Sequence, residues 1–419
     1  MYSEITKCRI CGNTQLAPVL QLGVQCLTGV FPASKEEKIT AGPLELVKCE
    51  EDESGATCGL LQLKHSYDLS EMYGLNYGYR SGLNQSMVEH LHNKVRKICA
   101  LVKLTPNDLI IDIGSNDGTL LTSYPSHQYT LAGIDPTGIK FKEYYPKHIH
   151  LITDFFSANT VKNHFGSQKA KIITSIAMFY DLESPLDFMQ QIYDVLDDDG
   201  VWMFEQSYMP TMLDMNAYDT VCHEHLEFYG LKQIFWMAKK IGFKIIDVEL
   251  NGINGGSFSV IVAKSNSSYR EAASLVETIV GQERAKGLCT LKPYEDFKTR
   301  VLQHRDQLVH FLHRIADERK LVLGYGASTK GNVILQFCNF TNKDIPFIAE
   351  VNRDKFGCFT PGTLIPIISE AQARAMNPDY FMVLPWHFKN NTVARETDYL
   401  KSGGKLFFPL PELETVEKR

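Results

Sequence analysis

The chain has 419 residues, 44% hydrophobic and 22% charged, and Lys+Arg 43 against Asp+Glu 49 leaves a net charge of −6. That length exceeds what one hydrophobic core serves and predicts two or three domains. Charge without long runs of one sign excludes a broad nucleic-acid footprint; the lack of any 18-residue apolar run and a start (MYSEITKCRI) without basic-then-apolar order predict a cytoplasmic protein with neither membrane span nor signal peptide.

Ten cysteines in such a chain favour metal ligands and buried thiols over disulfides, and Cys8, Cys11, Cys49 and Cys58 stand at paired spacings. Around them, short apolar runs (Leu20-Gln21-Leu22, Leu44 to Val47, Leu60 to Leu63) alternate with Gly and Pro, predicting a small module of strands and turns over 1–70. From Met87 to Val102 apolar residues follow a helical period, and Leu109 to Ile113 is a continuous buried-strand run with a Gly-rich tail expected to open a helix. Further strands are expected at Tyr129–Ile134, His150–Ile152, Ile172–Ile176 and Val201–Phe204, with a helix over Pro185–Leu196. This alternation predicts an α/β fold with a mostly parallel sheet over 71–265. Phe243–Leu250 and Phe258–Ala263 lack room for a crossover helix and predict an antiparallel end. Residues 266–320 read as connecting helices with Phe297, Val301, Leu308, Leu312 and Ile315 on one stripe. A second, smaller α/β domain is expected over 321–419, with strands at Leu321–Gly326, Phe347-Ile348, Tyr380–Leu384 and Lys405–Phe408.

Five sets of residues carry chemistry. Cys8-x2-Cys11 and Cys49-x8-Cys58 supply four soft thiolates suited to a closed tetrahedral zinc site; reduced thiols on a β-hairpin are the plain alternative. The loop Asp112-Ile113-Gly114-Ser115-Asn116-Asp117-Gly118 lets a ligand approach the backbone at a strand's C-terminal end, while its acids repel phosphate. A ligand with a positive centre fits better, and S-adenosylmethionine carries a sulfonium and an ammonium. Asp135, ending the next strand, is placed to hold ribose hydroxyls, and Asp154 with Phe155 to meet an adenine; helix caps and core packing are the bland readings. Cys222-His223-Glu224-His225 sets two imidazoles around a carboxylate, a pairing able to remove a carbon-bound proton, against a buried histidine or an adventitious metal pair. Gly324 to Asn332 has the small residues and the lysine of a phosphate loop without its spacing, and a tight turn with a solvated Lys330 serves equally.

Taken in order, these stretches resemble the zinc-containing sugar C-methyltransferases that act on nucleotide-linked keto-deoxysugars. The likeness runs through the Cys-rich start, Tyr77-Gly-Tyr79-Arg-Ser81-Gly82, Asp112 to Gly118, Met178 to Glu183 and Glu205-Gln206. It continues through His223-Glu224-His225, Gly255-Gly256-Ser257, Gly326 to Asn332, Pro361-Gly362-Thr363 and Leu384-Pro385-Trp386. Three positions depart from the family pattern: Cys222 stands where Tyr precedes His-Glu-His, Asn254 where His precedes Gly-Gly-Ser, and His387 where Asn follows Leu-Pro-Trp.

The resemblance implies a zinc module held by Cys8, Cys11, Cys49 and Cys58, a class I methyltransferase domain and a C-terminal domain that helps hold the nucleotide sugar. It implies His225 as base with Glu224 beside it, and a cofactor site of Tyr77, Tyr79, Gly114, Asn116, Asp117, Asp135, Asp154 and Phe155. His223, Lys330, Asn332 and Arg353 are the expected substrate contacts. The implied reaction is S-adenosylmethionine-dependent C-methylation at C3 of a 4-keto-6-deoxysugar through an enolate, by a monomer without nucleic-acid or membrane partners. O- or N-methylation, or a non-catalytic zinc-containing binding protein, are the competing readings.

Overall fold

The computed structural model describes residues 2–52, 55–73, 79–125 and 127–418. Leu109–Ile113, buried at every position, is the middle of the five parallel strands of a seven-stranded sheet. The order across that sheet is Phe243–Asn251, Ser257–Lys264, Leu196–Ser207, Ala170–Ile176, Leu109–Ile113, Thr130–Ile134 and Ile149–Ile152. The last five are mutually parallel; Ser257–Lys264 runs antiparallel to both its neighbours, which gives the expected antiparallel end.

One expectation fails within this sheet. No α-helix follows the loop after Leu109–Ile113; turns lead only to a single 3-10 turn at Leu121–Ser123. Gly114, Asn116 and Gly118 all have positive φ (70°, 51° and 75°), and three left-handed residues in five cannot propagate a right-handed helix.

The N-terminal strands Leu16–Cys26, Ala41–Cys49 and Leu61–Leu63 form an antiparallel sheet whose fourth strand, Glu227–Phe228, arrives from the central domain. Its apolar face (Val19, Leu20, Leu22, Leu44, Leu46) joins one core with Tyr294, Phe297, Val301 and Leu308 of the long helix Lys292–Asp317 and with the C-terminal sheet. The helices over 266–320 therefore act as shared core as well as connection.

The C-terminal domain has six strands in the order Ile367–Ser369, Ile348–Glu350, Val322–Tyr325, Tyr380–Val383, Lys405–Phe408 and Glu414–Val416, all parallel but the last. Ile367–Ser369 and Glu414–Val416 have three residues each, too short to register as periodicity.

Candidate active site

A cavity of about 460 Å³ opens at the C-terminal ends of the parallel central strands. All three parts of the chain wall it: Gly29 from the N-terminal module, the loops after Ile113, Ile134, Ile176 and Glu205, and Ala327 to Lys330, Lys355 and His387 from the C-terminal domain. They converge at Gly29, where a Cβ would stand 2.3 Å from Glu224 Oε1 and 3.6 Å from Thr329 Oγ1.

On the side of the glycine loop, Gly114, Asn116, Asp135 and Phe155 line the cavity as expected, joined by Asp112 and Phe156. Asp135 is buried; Oδ1 accepts from the backbone N–H and hydroxyl of Thr137 (2.7 and 2.6 Å), Oδ2 from the N–H of Asn116 (2.7 Å). The carboxylate thus fixes the loop and keeps a spare lone pair on Oδ2 for a ligand hydroxyl. Burial pushes Asp112 up to about 7, although the Thr174 hydroxyl donates to it at 2.6 Å. Tyr79 also lines the cavity, and Tyr77 lies outside the described residues. Asp117 and Asp154 do not line it. Asp117 instead accepts from the Gly82 N–H (2.9 Å) and pairs with Arg80 (3.3 Å); with Asn116 Oδ1, which takes the Ser81 N–H (3.0 Å), it straps residues 80–82 onto the loop. Asp154 caps the backbone N–H of Phe155 at 2.7 Å.

The cavity is also lined by Tyr180, Asp181, Glu224 and His225. His225 Nδ1 lies 2.8 Å from the Thr220 carbonyl, which only accepts; the proton sits on Nδ1 and Nε2 keeps its lone pair. Tyr180 meets the imidazole edge-on at 4.3 Å between centroids. Burial, with the Lys330 ammonium adding to it, pushes His225 down to about 3, so the ring is neutral. Burial raises Glu224 and raises Asp181 well above the carboxylate range. Glu205, by contrast, is held low despite burial by His90 and by Lys94 Nζ at 2.8 Å.

The expected substrate contacts divide. Lys330 lines the cavity. His223 is fully buried outside it, its ring edge-on to Tyr67 at 4.6 Å. Asn332, also fully buried, donates to the Thr28 carbonyl at 2.8 Å and so holds the Gly29 turn. Arg353 points to solvent, while Lys355, which sequence reasoning passed over, lines the cavity. His387 lines it too. The segments bearing Asn254 and His387 pack together: a Cβ on Gly255 would lie 3.1 Å from the Trp386 ring and 3.9 Å from His387 Cβ. Two departures from the family pattern, far apart in sequence, thus change one patch of wall.

Apart from this cavity, the sulfurs of Cys8, Cys11, Cys49 and Cys58 lie within 4.8 Å of one another, with Cys8–Cys58 and Cys11–Cys49 each at 3.5 Å. Zinc–sulfur bonds of about 2.3 Å in a tetrahedron set sulfurs at about 3.8 Å, so the donor set fits zinc. None of the four lines the cavity and all four positions are thiolates, which marks a structural site. Arg9, inside the first cysteine pair, donates to the Leu63 carbonyl (2.6 Å) and Ser66 Oγ (2.8 Å) and lies 3.5 Å from Glu183, tying the metal loop to the segment that carries Asp181.

Models of three known domains match in the same order: a zinc binding domain over residues 8–73, a methyltransferase domain over 87–248 and a C-methyltransferase C-terminal domain over 252–411. The C-methyltransferase NovU of Streptomyces niveus is 26% identical over 417 residues, covering 98% of this chain and 97% of that one.

The chain is an S-adenosylmethionine-dependent C-methyltransferase.

A sphingolipid C9-methyltransferase of Komagataella phaffii is 27% identical over 173 residues, covering 34% of this chain and 35% of that one. Among solved structures, the CcbJ methyltransferase of Streptomyces caelestis aligns at 10% identity and a TM-score of 0.33, over 42% of this chain and 90% of that one. In the C-methyltransferase, the glycine loop and Asp135 fit the cofactor: Gly114 at φ 70° leaves open a space in which a Cβ would already crowd Met178 at 3.1 Å, and the spare oxygen lone pair of Asp135 suits a ribose hydroxyl.

Proposed function

We propose that the enzyme methylates C3 of a nucleotide-linked 4-keto-6-deoxysugar, with His225 as the base that forms the enolate. One observation carries this reading: a neutral imidazole, its proton fixed on Nδ1 by the Thr220 carbonyl, stands in the wall of the cavity that the cofactor loop also lines. A methyl acceptor at oxygen or nitrogen needs no carbon base, whereas a carbon acceptor beside a ketone does. S-adenosylmethionine, when bound, supplies the methyl group.

In this reading Gly114, Asn116, Asp135 and Phe155 hold the cofactor directly, while Asp117 and Asp154 shape the segments around it. Tyr79 closes that side through the strap over residues 80–82. Glu224, its carboxyl raised by burial, stands next to the base in the chain and accepts from the Thr28 hydroxyl. The division of labour follows the domains: 1–70 as metal-pinned support, 71–265 for the cofactor, 266–320 as connection and core, and 321–419 for the nucleotide. Full-length similarity to a C-methyltransferase supports the small-molecule acceptor.

The test is mass spectrometry after incubation with S-adenosylmethionine and a panel of nucleotide-linked 4-keto-6-deoxyhexoses, paired with C3–H exchange in D₂O. A product heavier by one methyl on carbon, with exchange in its absence, supports the reading. A methyl on oxygen or nitrogen, without exchange, overturns it.

A further inference from the structure

An enolate route needs a group at the ketone oxygen as well as a base at carbon, because proton removal drives an electron pair onto that oxygen. Cys222, just before His-Glu-His, is fully buried and forms no part of the cavity wall, so its thiol does not serve. The C-terminal domain, however, sends two ammonium groups into the wall, Lys330 and Lys355, and their surroundings differ.

Lys330 Nζ is steadied by the Asn254 carbonyl at 3.1 Å and makes no ion pair among the described residues. Its charge bears on His225, His387, Asp219 and Cys222, the groups around the base. Asp219 is itself fully buried and accepts from the Trp386 indole at 2.7 Å. Thr329, the preceding residue, lies beside Gly29, the glycine that Glu224 also flanks. A partly buried cation beside the base, without a carboxylate at bonding distance, is a place for a negative charge that arises there. Lys355 is differently set: it donates to the Ala327 carbonyl at 2.7 Å and lies 4.3 Å above the Phe31 ring. Its charged neighbours are Glu350, Lys140 and Asp354, where Lys140 and Asp354 approach to 3.9 Å across the seam of the two α/β domains.

We propose that Lys330 is the oxyanion-stabilising catalytic residue, its ammonium bound to the ketone oxygen while His225 takes the neighbouring proton. This rests on the keto-sugar reading above. The C3–H bond breaks and its proton goes to His225 Nε2. The electron pair left on carbon forms the C3=C4 bond, and the carbonyl π pair moves to oxygen against Lys330. When that oxygen re-forms its double bond, C3 bonds to the methyl carbon, and the sulfur–methyl pair stays on sulfur, neutralising it.

The experiment compares Lys330→Met, Lys330→Arg and Lys355→Met in the full chain by three readouts: kcat and KM, C3–H exchange in D₂O, and calorimetric affinity for thymidine and uridine diphosphate. Lys330→Met should lower kcat and exchange together by about 10²–10³-fold, the cost of one oxyanion donor, with diphosphate affinity within about threefold. Lys330→Arg should recover part of the exchange, since it keeps the charge. Lys355→Met, which removes the other cation of the wall, should lower exchange by less than Lys330→Met does. Weakened diphosphate binding by Lys330→Met with kcat and exchange intact would overturn the assignment. A wild-type protein that neither exchanges nor methylates any keto-sugar would overturn the reading beneath it, and this assignment with it.

Discussion

His225 Nδ1 stands 2.8 Å from the carbonyl oxygen of Thr220, five residues back in the same turn. The carbonyl chooses the tautomer, and the turn carries both partners, so the free nitrogen is set by local chain geometry. Replacing His225 by Gln should cut methyl transfer and C3–H exchange by about 10²–10⁴-fold and leave cofactor affinity unchanged. Steady-state kinetics and calorimetry check this; near-native turnover would remove His225 from the base role.

Asp135 takes three hydrogen bonds from Asn116 and Thr137 and has one lone pair, on Oδ2, left for the cofactor. Asp135→Ala should weaken S-adenosylmethionine binding by about 1–3 kcal/mol. Calorimetry on a variant with native circular dichroism decides it: equal affinity would place the ribose elsewhere.

Gly29 is where the three parts of the chain touch, and a methyl group there would press on Glu224 Oε1. Gly29→Ala should therefore lower kcat by about tenfold or more, in line with the roughly 1–3 kcal/mol of overpacking. Cofactor affinity should stay, because no residue of the glycine loop is among the nearest neighbours of a Cβ at Gly29. A kcat equal to wild type would mean that Glu224 moves freely.

The four-thiolate site should hold a single zinc ion, lost in Cys58→Ser and retained in Cys26→Ser and Cys99→Ser. Metal analysis reads this directly, and loss of zinc should lower Tm by several degrees because the hairpin ends are no longer joined. Native-state alkylation of all four thiols without loss of metal would be the contrary result.

Asp112 carries a pH dependence with a definite sign. Burial raises its folded-state pKa to about 7, above the unfolded value of about 3.9, so the folded state binds the extra proton between these values. Its contribution is fully present below pH 4 and is lost as pH rises through 7. In the protein without cofactor, Asp112→Asn should match wild type in stability at pH 4 and exceed it increasingly toward pH 8, by about 1.4 kcal/mol per pH step across the window at most. A gap that shrinks as pH rises would contradict the buried assignment.

Much of this was legible in the sequence where a single local rule decided the outcome. The run Leu109–Ile113, apolar but for Asp112, reads as a buried strand, and the Asn- and Gly-rich stretch between Phe243–Asn251 and Ser257–Lys264 left no room for a crossover. The cysteine spacing found a set of four sulfurs that meet in space. What sequence reasoning missed depends on long-range placement. Lys355 and Arg353 sit two residues apart in one short turn, and only the packing against Ala327 and Phe31 decides which enters the cavity. His223 and His225 share a motif, yet one ring packs on Tyr67 and the other meets Tyr180. The helix expected after Gly114 was lost to three left-handed residues, a pattern visible in Gly-Ser-Asn-Asp-Gly but outweighed by the precedent of strand-loop-helix units.

The strand Glu227–Phe228, paired to Leu61–Leu63, sets an order of events during synthesis. The four thiols leave the ribosome within the first 58 residues and can capture their metal early. The sheet behind them keeps a bare edge at Leu61–Leu63 until the far side of the central domain has been made, and bare edges are where nascent chains pair with one another. The N-terminal segment expressed alone would therefore carry an open strand edge that Glu227–Phe228 covers in the full chain.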